Sequence, residues 1–285
     1  MTTSATSKRV YSVELFPPKT VEGMDRLKQE VPKLNALGPA YFSVTYGAGG
    51  STREGTFETV AWLRTQGIDT APHLACIGST RAQIREILDH YHGQGIRRLV
   101  ALRGDLPSGM GIGNSGEFRY ANELVGFVRA EFGDAFWIEV AAYPEYHPQS
   151  GTPVRDLENF KRKVEAGADG AITQYFYNAD AYFAFVESCE RAGITIPIVP
   201  GIMPITNYAQ LARFSDACGA EIPRWIRRRL ESFGDDIESL RAFGHEVVLR
   251  LCQRLLEGGA PGLHFYTMNQ SGSVTRLWHD LGLSD

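Results

Sequence analysis

The chain has 285 residues, 43% of them hydrophobic and 22% charged, with a formal net charge of -4. That balance is ordinary for a soluble globular protein and gives no basic footprint for nucleic acid or an anionic membrane, which leaves a small molecule as the expected partner. Cys76, Cys189, Cys218 and Cys252 are too scattered for a zinc or redox motif, and no apolar run approaches the roughly 18 residues of a membrane span, so a cytoplasmic protein with reduced thiols is expected.

In chain order, "MTTSATSKRV" is a polar lead-in without a signal-peptide core. Residues 1–9 are expected to be loosely ordered and residues 10–285 to form the fold. The first β-type run, "VYSVELF" (10–16), buries one carboxylate, Glu14, among apolar neighbours, and Pro17 and Pro18 end it. Alternation turns Glu14 to the same face as Ser12 and Phe16. The second run, "YFSVTYG" (41–47), closes on Thr45 and Tyr46, and the third, "TAPHLACI" (70–77), carries His73. A helix then opens on Ser79 or Thr80 and ends in glycines. The fourth run, "RLVALRG" (98–104), leads to Arg103, Gly104 and Asp105, and the fifth, "WIEVAAY" (137–143), to Tyr143, Glu145 and His147. "DLENFKRKVEAG" is expected to be a helix that opens on Asp156 and stops at Gly167. The sixth run, "GAITQYF" (170–176), holds Gln174. The seventh is "IPIVPGI" (196–202), and the eighth, "GLHFYTM" (262–268), precedes Asn269 and Gln270.

Eight strand-then-helix units with no linker between them predict a single-domain (β/α)8 barrel, with a doubly wound sheet as the alternative. In a barrel the site lies at the carboxyl ends of the strands, where these polar residues fall. Burial would raise the pKa of Glu14 and suit it to general acid work, or Glu14 is a structural carboxylate paired with an inward arginine such as Arg103. Arg103 and Asp105 flank Gly104, which would admit a ligand close to the backbone. Asp156, Asn159, Arg162 and Lys163, taken as a helix start, suit a diphosphate or nucleotide. "GIGNSG" (111–116) matches a dinucleotide fingerprint only formally, because it sits in a loop. The histidines of "HYH" (90–92) do not share a helix face, and Arg227 to Arg229 fit an exposed helix face.

Together "VELFPPK", "SVTYGAGG", "APHLACI", "VALRGDLP", "AAYPEYHP", "LENFKRKVEAGAD", "AITQYFYN", "PGIMPITN" and "LHFYTMN" closely resemble methylenetetrahydrofolate reductase of the bacterial single-domain type, from about residue 10 to residue 283. The resemblance implies a barrel that binds FAD at the strand ends, reduces it with NAD(P)H and passes the hydride to 5,10-methylenetetrahydrofolate in the same site. It implies Glu14 as the general acid that helps open the folate's imidazolidine ring, and Asp105 as the charge that stabilises the resulting 5-iminium cation. For FAD the matching positions are Thr45, Tyr46, Ala48, His73, Arg103, Gly104, Asp105, Tyr120, Ala121, Tyr143, His147, Asp156, Asn159, Arg162 and Lys163. For the substrates they are Glu14, Gln174, Gln210, Phe214 and Gln270. Relatives of this type are commonly homo-oligomers. Gln270 stands where many relatives have arginine, so a charged clamp on the folate tail is expected to be weaker or supplied elsewhere. Leu15 and Lys19 replace the usual Phe and Arg, and the regulatory domain of eukaryotic relatives is not expected. A barrel hydrolase pairing Glu14 with Glu145 is the rival enzyme reading.

Overall fold

In a computed structural model, which describes residues 9–46, 53–104 and 116–283, strand β1 (Val10–Leu15) pairs in parallel with β2 (Tyr41–Val44) on one side and with β9 (Gly262–Tyr266) on the other. The first and last strands therefore meet and the sheet curls onto itself. From β2 the order continues through β3 (Thr70–Ala75), β4 (Arg98–Leu102), β5 (Trp137–Ala142) and β6 (Gly170–Thr173) to β7 (Ile198–Val199), all in parallel register. β8 (Gly201–Ile202) pairs with β9.

The segments β7 and β8 are one stave divided at Pro200, which has no N–H for the ladder. β7 keeps register with β6 and β8 with β9, so pairing passes from one neighbour to the other at the proline. The Pro200 carbonyl still accepts from His264 N at 3.0 Å, and Gly201 N turns to Thr173 Oγ1 at 2.9 Å. The eight predicted units thus form a single-domain barrel, with its seventh stave in two pieces.

Helices α1 (Val21–Asn35), α2 (Arg53–Thr65), α3 (Arg81–Gly93), α4 (Ala121–Phe132), α5 (Pro153–Glu165) and α6 (Ala179–Arg191) follow the first six strands. Three helices, α7 (Tyr208–Cys218), α8 (Arg224–Ser232) and α9 (Ile237–Glu257), precede β9, and α10 (Gly272–Asp280) follows it. Thr80, one of the two caps the sequence offered, caps α3, and Gln83 returns the bond to its backbone N–H. The start of α5 differs from expectation: Thr152 is its cap, Pro153 takes the first helical position, and Arg162 and Lys163 fall in the last turn rather than near the start. A helix N-terminal field therefore does not act on those two cations.

Outward strand residues such as Val13, Leu15, Val44, Leu99 and Val140 are fully buried under the helices. Inside, Tyr41, Ala71, Val100 and Ile172 form a small apolar group. Beside it Arg98 Nη1 meets Glu139 Oε1 at 2.5 Å, with the guanidinium stacked over the rings of Tyr41 and Trp137. Burial raises the Glu139 carboxyl, and Arg98 opposes that shift. Among the described residues no helix is long and apolar enough to cross a membrane.

Candidate active site

Glu14, near the carboxyl end of β1, is only 6% exposed and points into the barrel among side chains from three other strands. Its Oε2 lies 3.3 Å from His73 Nε2 on β3, 3.4 Å from His264 Nε2 on β9, and 3.5 Å from Ser43 Oγ on β2. The other ring nitrogen of His264, Nδ1, is 2.7 Å from Ser12 Oγ, two residues before Glu14 on β1. The His73 contact has ion-pair distance without hydrogen-bond alignment, since Nε2 lacks a hydrogen-bonding partner. Ser12, Ser43 and His264 are completely buried, so water does not compete for these groups.

Two expectations for Glu14 need correction. Burial is the largest single influence on its carboxyl and would raise the pKa. Hydrogen bonding to His264 and the charge of His73, joined by the hydrogen bond of His73 and the charge of His264, together outweigh burial and bring it down to about 2. Nor is Arg103 its partner: that guanidinium donates to the Gly104 carbonyl at 3.1 Å and to Gln149 Oε1 at 2.8 Å. Glu14 is an ionised carboxylate held by imidazoles.

The loop after β9 is tied to the end of β1. Thr267 Oγ1 donates to the Glu14 carbonyl at 2.6 Å, and the Asn269 side chain both accepts from Phe16 N and donates to Phe16 O, each at 2.8 Å. Ser271 donates to Glu30 through both its N and its Oγ. Met268 and Asn269 have φ of 52° and 56°, a left-handed pair that reverses the chain sharply enough for Asn269 to reach Phe16. Asn269 is thus a brace rather than a free polar group at the mouth.

The other candidates line the same carboxyl-end face. Thr45 and Tyr46 follow β2, with Thr45 N bonded to the Leu15 carbonyl. Tyr120 stands 59% exposed at the cap position of α4, and Ala121 begins that helix. The Tyr143 and His147 rings meet edge to face, 4.6 Å between centroids, and His147 Nδ1 accepts from Gln149 N. Asp156 is buried and accepts from Ser150 Oγ at 2.5 Å, while Asn159 is half-buried and Arg162 exposed along α5. Lys163 donates to the Ala141 carbonyl of β5, and burial lowers its ammonium to about 8 against the pull of Asp156. Gly104 adopts φ of 85°, and a Cβ there would meet Ala75 Cβ at 2.9 Å. Its left-handed backbone and its packing against β3 are by themselves enough to require that glycine. Ala48 and Asp105 lie outside the described residues, as does most of "GIGNSG".

Gln174 follows β6 with its amide N on the Ala142 carbonyl. Beside it Tyr266 donates from its hydroxyl to the Thr173 carbonyl at 2.8 Å. On α7, Gln210 is half-buried and Phe214 is 38% exposed. Glu145 is spent on the Glu221 amide at 2.7 Å, which removes the partner that the hydrolase reading needed. A cavity of about 540 Å³ on the outer wall, among Trp225, Phe243 and Arg250, contains none of the candidate residues.

Sequence reasoning missed the roles of His264, Ser12 and Ser43. The only signal available was alternation, which puts His264 and Tyr266 on one face of their strand as it does Ser12 and Glu14. Arg103, His147 and Lys163, interleaved with Tyr46, Tyr120 and Tyr143 at the strand ends, form a donor set that suits a large anionic ligand with aromatic rings.

Comparison with known proteins identifies the family. A family model described as methylenetetrahydrofolate reductase matches residues 1–282. The chain is 40% identical to 5,10-methylenetetrahydrofolate reductase of Salmonella typhimurium and 39% identical to that of Escherichia coli, in each case over 95% of this chain and 90% of the relative. It is also 39% identical to a probable methylenetetrahydrofolate reductase (NADH) of Oryza sativa, over 98% of this chain and 49% of that longer protein. A solved structure of an uncharacterized Clostridium thermocellum protein, described as binding two copies of 5-methyl-5,6,7,8-tetrahydrofolic acid, superposes with a TM-score of 0.68. It covers 97% of this chain at 13% identity, and so supports the fold alone. With a family match over almost its whole length and a carboxylate held at the mouth of the barrel, the chain belongs to the methylenetetrahydrofolate reductase family.

Proposed function

We propose that this protein reduces 5,10-methylenetetrahydrofolate to 5-methyltetrahydrofolate, with FAD as carrier and NAD(P)H as donor, in two half-reactions at one site. The observation that carries this reading is Glu14, ionised and buried at the strand ends in a chain whose family model spans residues 1–282. Bound FAD would supply the hydride chemistry, accepting from the nicotinamide and giving to the folate. Arg103, His147, Arg162 and Lys163 would hold its phosphates and adenine end, with Tyr46, Tyr120 and Tyr143 against its rings.

The chain's own contribution is proton management. Opening the imidazolidine ring requires a proton at the folate N10, and a carboxyl with pKa about 2 cannot store one at neutral pH. His264 stands between the carboxylate and Ser12, its Nε2 3.4 Å from Glu14 Oε2 and its Nδ1 2.7 Å from Ser12 Oγ, so a line of hydrogen-bonding groups leads to the carboxyl. Glu14 relays that proton to N10 as the ring opens, and as a carboxylate stabilises the cation left at N5. Asp105 would add a second negative charge. Gln174 would hydrogen-bond the pterin and the nicotinamide amide in turn, and Phe214 would pack on whichever is bound.

Purified protein is expected to be yellow. NAD(P)H should bleach it without oxygen, and methylenetetrahydrofolate should restore the colour. A colourless protein that takes up no FAD, or a reduced flavin that the folate leaves untouched, refutes the reading.

A further inference from the structure

Ser12 sits between two rings at one level of the barrel interior. The strand register puts it beside Tyr41 of β2 on one side and His264 of β9 on the other. The rings of Tyr41 and His264 are 6.4 Å apart between centroids and 27° from parallel, and all three residues are buried. Ser12 Oγ is 2.7 Å from His264 Nδ1 and also shares a hydrogen bond with the Tyr41 hydroxyl. The polar contacts that begin at Glu14 therefore run through His264 and Ser12 and end on a phenol.

The surroundings of Tyr41 direct its hydrogen to Ser12. The guanidinium of Arg98, the first residue of β4, lies 4.5 Å over the ring and fixes it from the amino end of the barrel. The Glu139 carboxylate is engaged elsewhere: its Oε1 accepts from Arg98 Nη1 at 2.5 Å and from Trp137 Nε1 at 3.0 Å. Its Oε2 has no hydrogen-bonding partner among the described residues, so the phenol does not donate to it. Burial, and after it the charge of Glu139, pushes the Tyr41 hydroxyl above its ordinary range and keeps it a donor. A phenol is a stronger acid than an alcohol, and so the better donor in a bond between the two. At the opposite end Glu14, being ionised, can only accept. With a donor at one end and an acceptor at the other, one arrangement of hydrogens satisfies every member between them.

We propose that Tyr41 is a positioning residue for Glu14: its hydroxyl donates to Ser12 Oγ, Ser12 donates to His264 Nδ1, and the imidazole is thereby held with its hydrogen on Nε2, facing the carboxylate. Without the phenol, Ser12 is free to donate to Nδ1 or to accept from it, and the ring can turn a bare nitrogen toward Glu14 instead of an N–H. The inference rests on the proposed reductase reading where it concerns rate, whereas the placement of the hydrogens is a property of the folded chain.

The test is Tyr41→Phe, which keeps the ring under Arg98 and deletes its oxygen. Nitrogen NMR of protein labelled at histidine reads which ring nitrogen of His264 carries hydrogen, with the resonances assigned by their loss in His264→Gln. Wild type should show hydrogen on Nε2 and none on Nδ1, and Tyr41→Phe should show both arrangements. In anaerobic stopped-flow of the FAD-loaded enzyme, Tyr41→Phe should slow flavin reoxidation by methylenetetrahydrofolate about fivefold and leave flavin reduction by NAD(P)H within about twofold. The two hydroxyls act in series, so Tyr41→Phe/Ser12→Ala should match Ser12→Ala alone within about twofold. Hydrogen on Nδ1 in wild type overturns the inference. So does an unchanged His264 spectrum in Tyr41→Phe, or a double variant whose loss is the product of the two single losses. Wild-type enzyme that passes no hydride to the folate would instead refute the reductase reading, while the His264 spectrum still tests the placement of the hydrogens.

Discussion

At the scale of single residues the site is a balance of desolvation against imidazole. Taking Glu14 out of water favours its neutral form; His264 and His73 reverse that. Because the folded pKa, about 2, is below the ordinary 4.5, the carboxylate stabilises the fold above pH 4.5, and the contribution disappears as pH falls from 4.5 toward 2. The gap amounts to about 3 kcal/mol. Urea unfolding at pH 6 and pH 3 should show a steeper loss for wild type than for Glu14→Gln, and parallel losses would contradict the ionised assignment. In catalysis Glu14→Gln should slow folate reduction by about 100-fold or more while leaving flavin reduction by NAD(P)H nearly intact, as read by anaerobic stopped-flow. Ser12→Ala removes the contact at His264 Nδ1, along with the hydrogen bond that Ser12 shares with Tyr41. It should lower the folate half-reaction about tenfold and displace its pH profile, and an unshifted profile would remove the imidazole from the relay. Glu14 was recognisable in the sequence as a polar anomaly in an apolar strand. Its ionisation was not, because His264 lies 250 residues away along the chain and is brought near only by ring closure.

Secondary-structure elements were legible where a local chemical signal marks them. Strand ends fell close to their predicted positions because prolines and glycines punctuate them, and the Ser79-Thr80 pair marked the start of α3, where Thr80 is the cap. The start of α5 was misplaced because Asp156 resembles a cap, although Thr152 followed by Pro153 is the stronger signal. Asp156 serves instead as a buried acceptor for Ser150. The brace after β9 was illegible: asparagine after a strand is a common loop residue, and only the left-handed backbone at Met268 and Asn269 directs its amide onto Phe16. Asn269→Ala deletes both bonds and should destabilise the protein by about 1–3 kcal/mol, lowering Tm by several degrees. It should also weaken folate binding more than flavin binding, since the loop it fixes adjoins Glu14. Equal loss of both ligands would mean that the brace serves the barrel as a whole.

At the scale of the whole molecule, alternation of runs and helices carried the barrel, but not the handover at Pro200. Seven of the eight staves have at least four strand residues, whereas β7 and β8, the two pieces of the remaining one, contribute two each. Backbone amides from Ile198 to Ile202 should therefore exchange hydrogen sooner than those of β1, β3 and β5, and equal protection would mean that the split stave costs the ring nothing. The pairing of β1 with β9 has a further consequence, concerning the order of synthesis. Until the ribosome has delivered residues 262–266, β1 has an open edge and Glu14 lacks His264. The growing chain must carry an unfinished sheet with a carboxylate turned toward its interior for almost the whole of translation. Closure is thus both the last step of building the barrel and the step that creates its acid, so a chain truncated before β9 would lose structure and chemistry together.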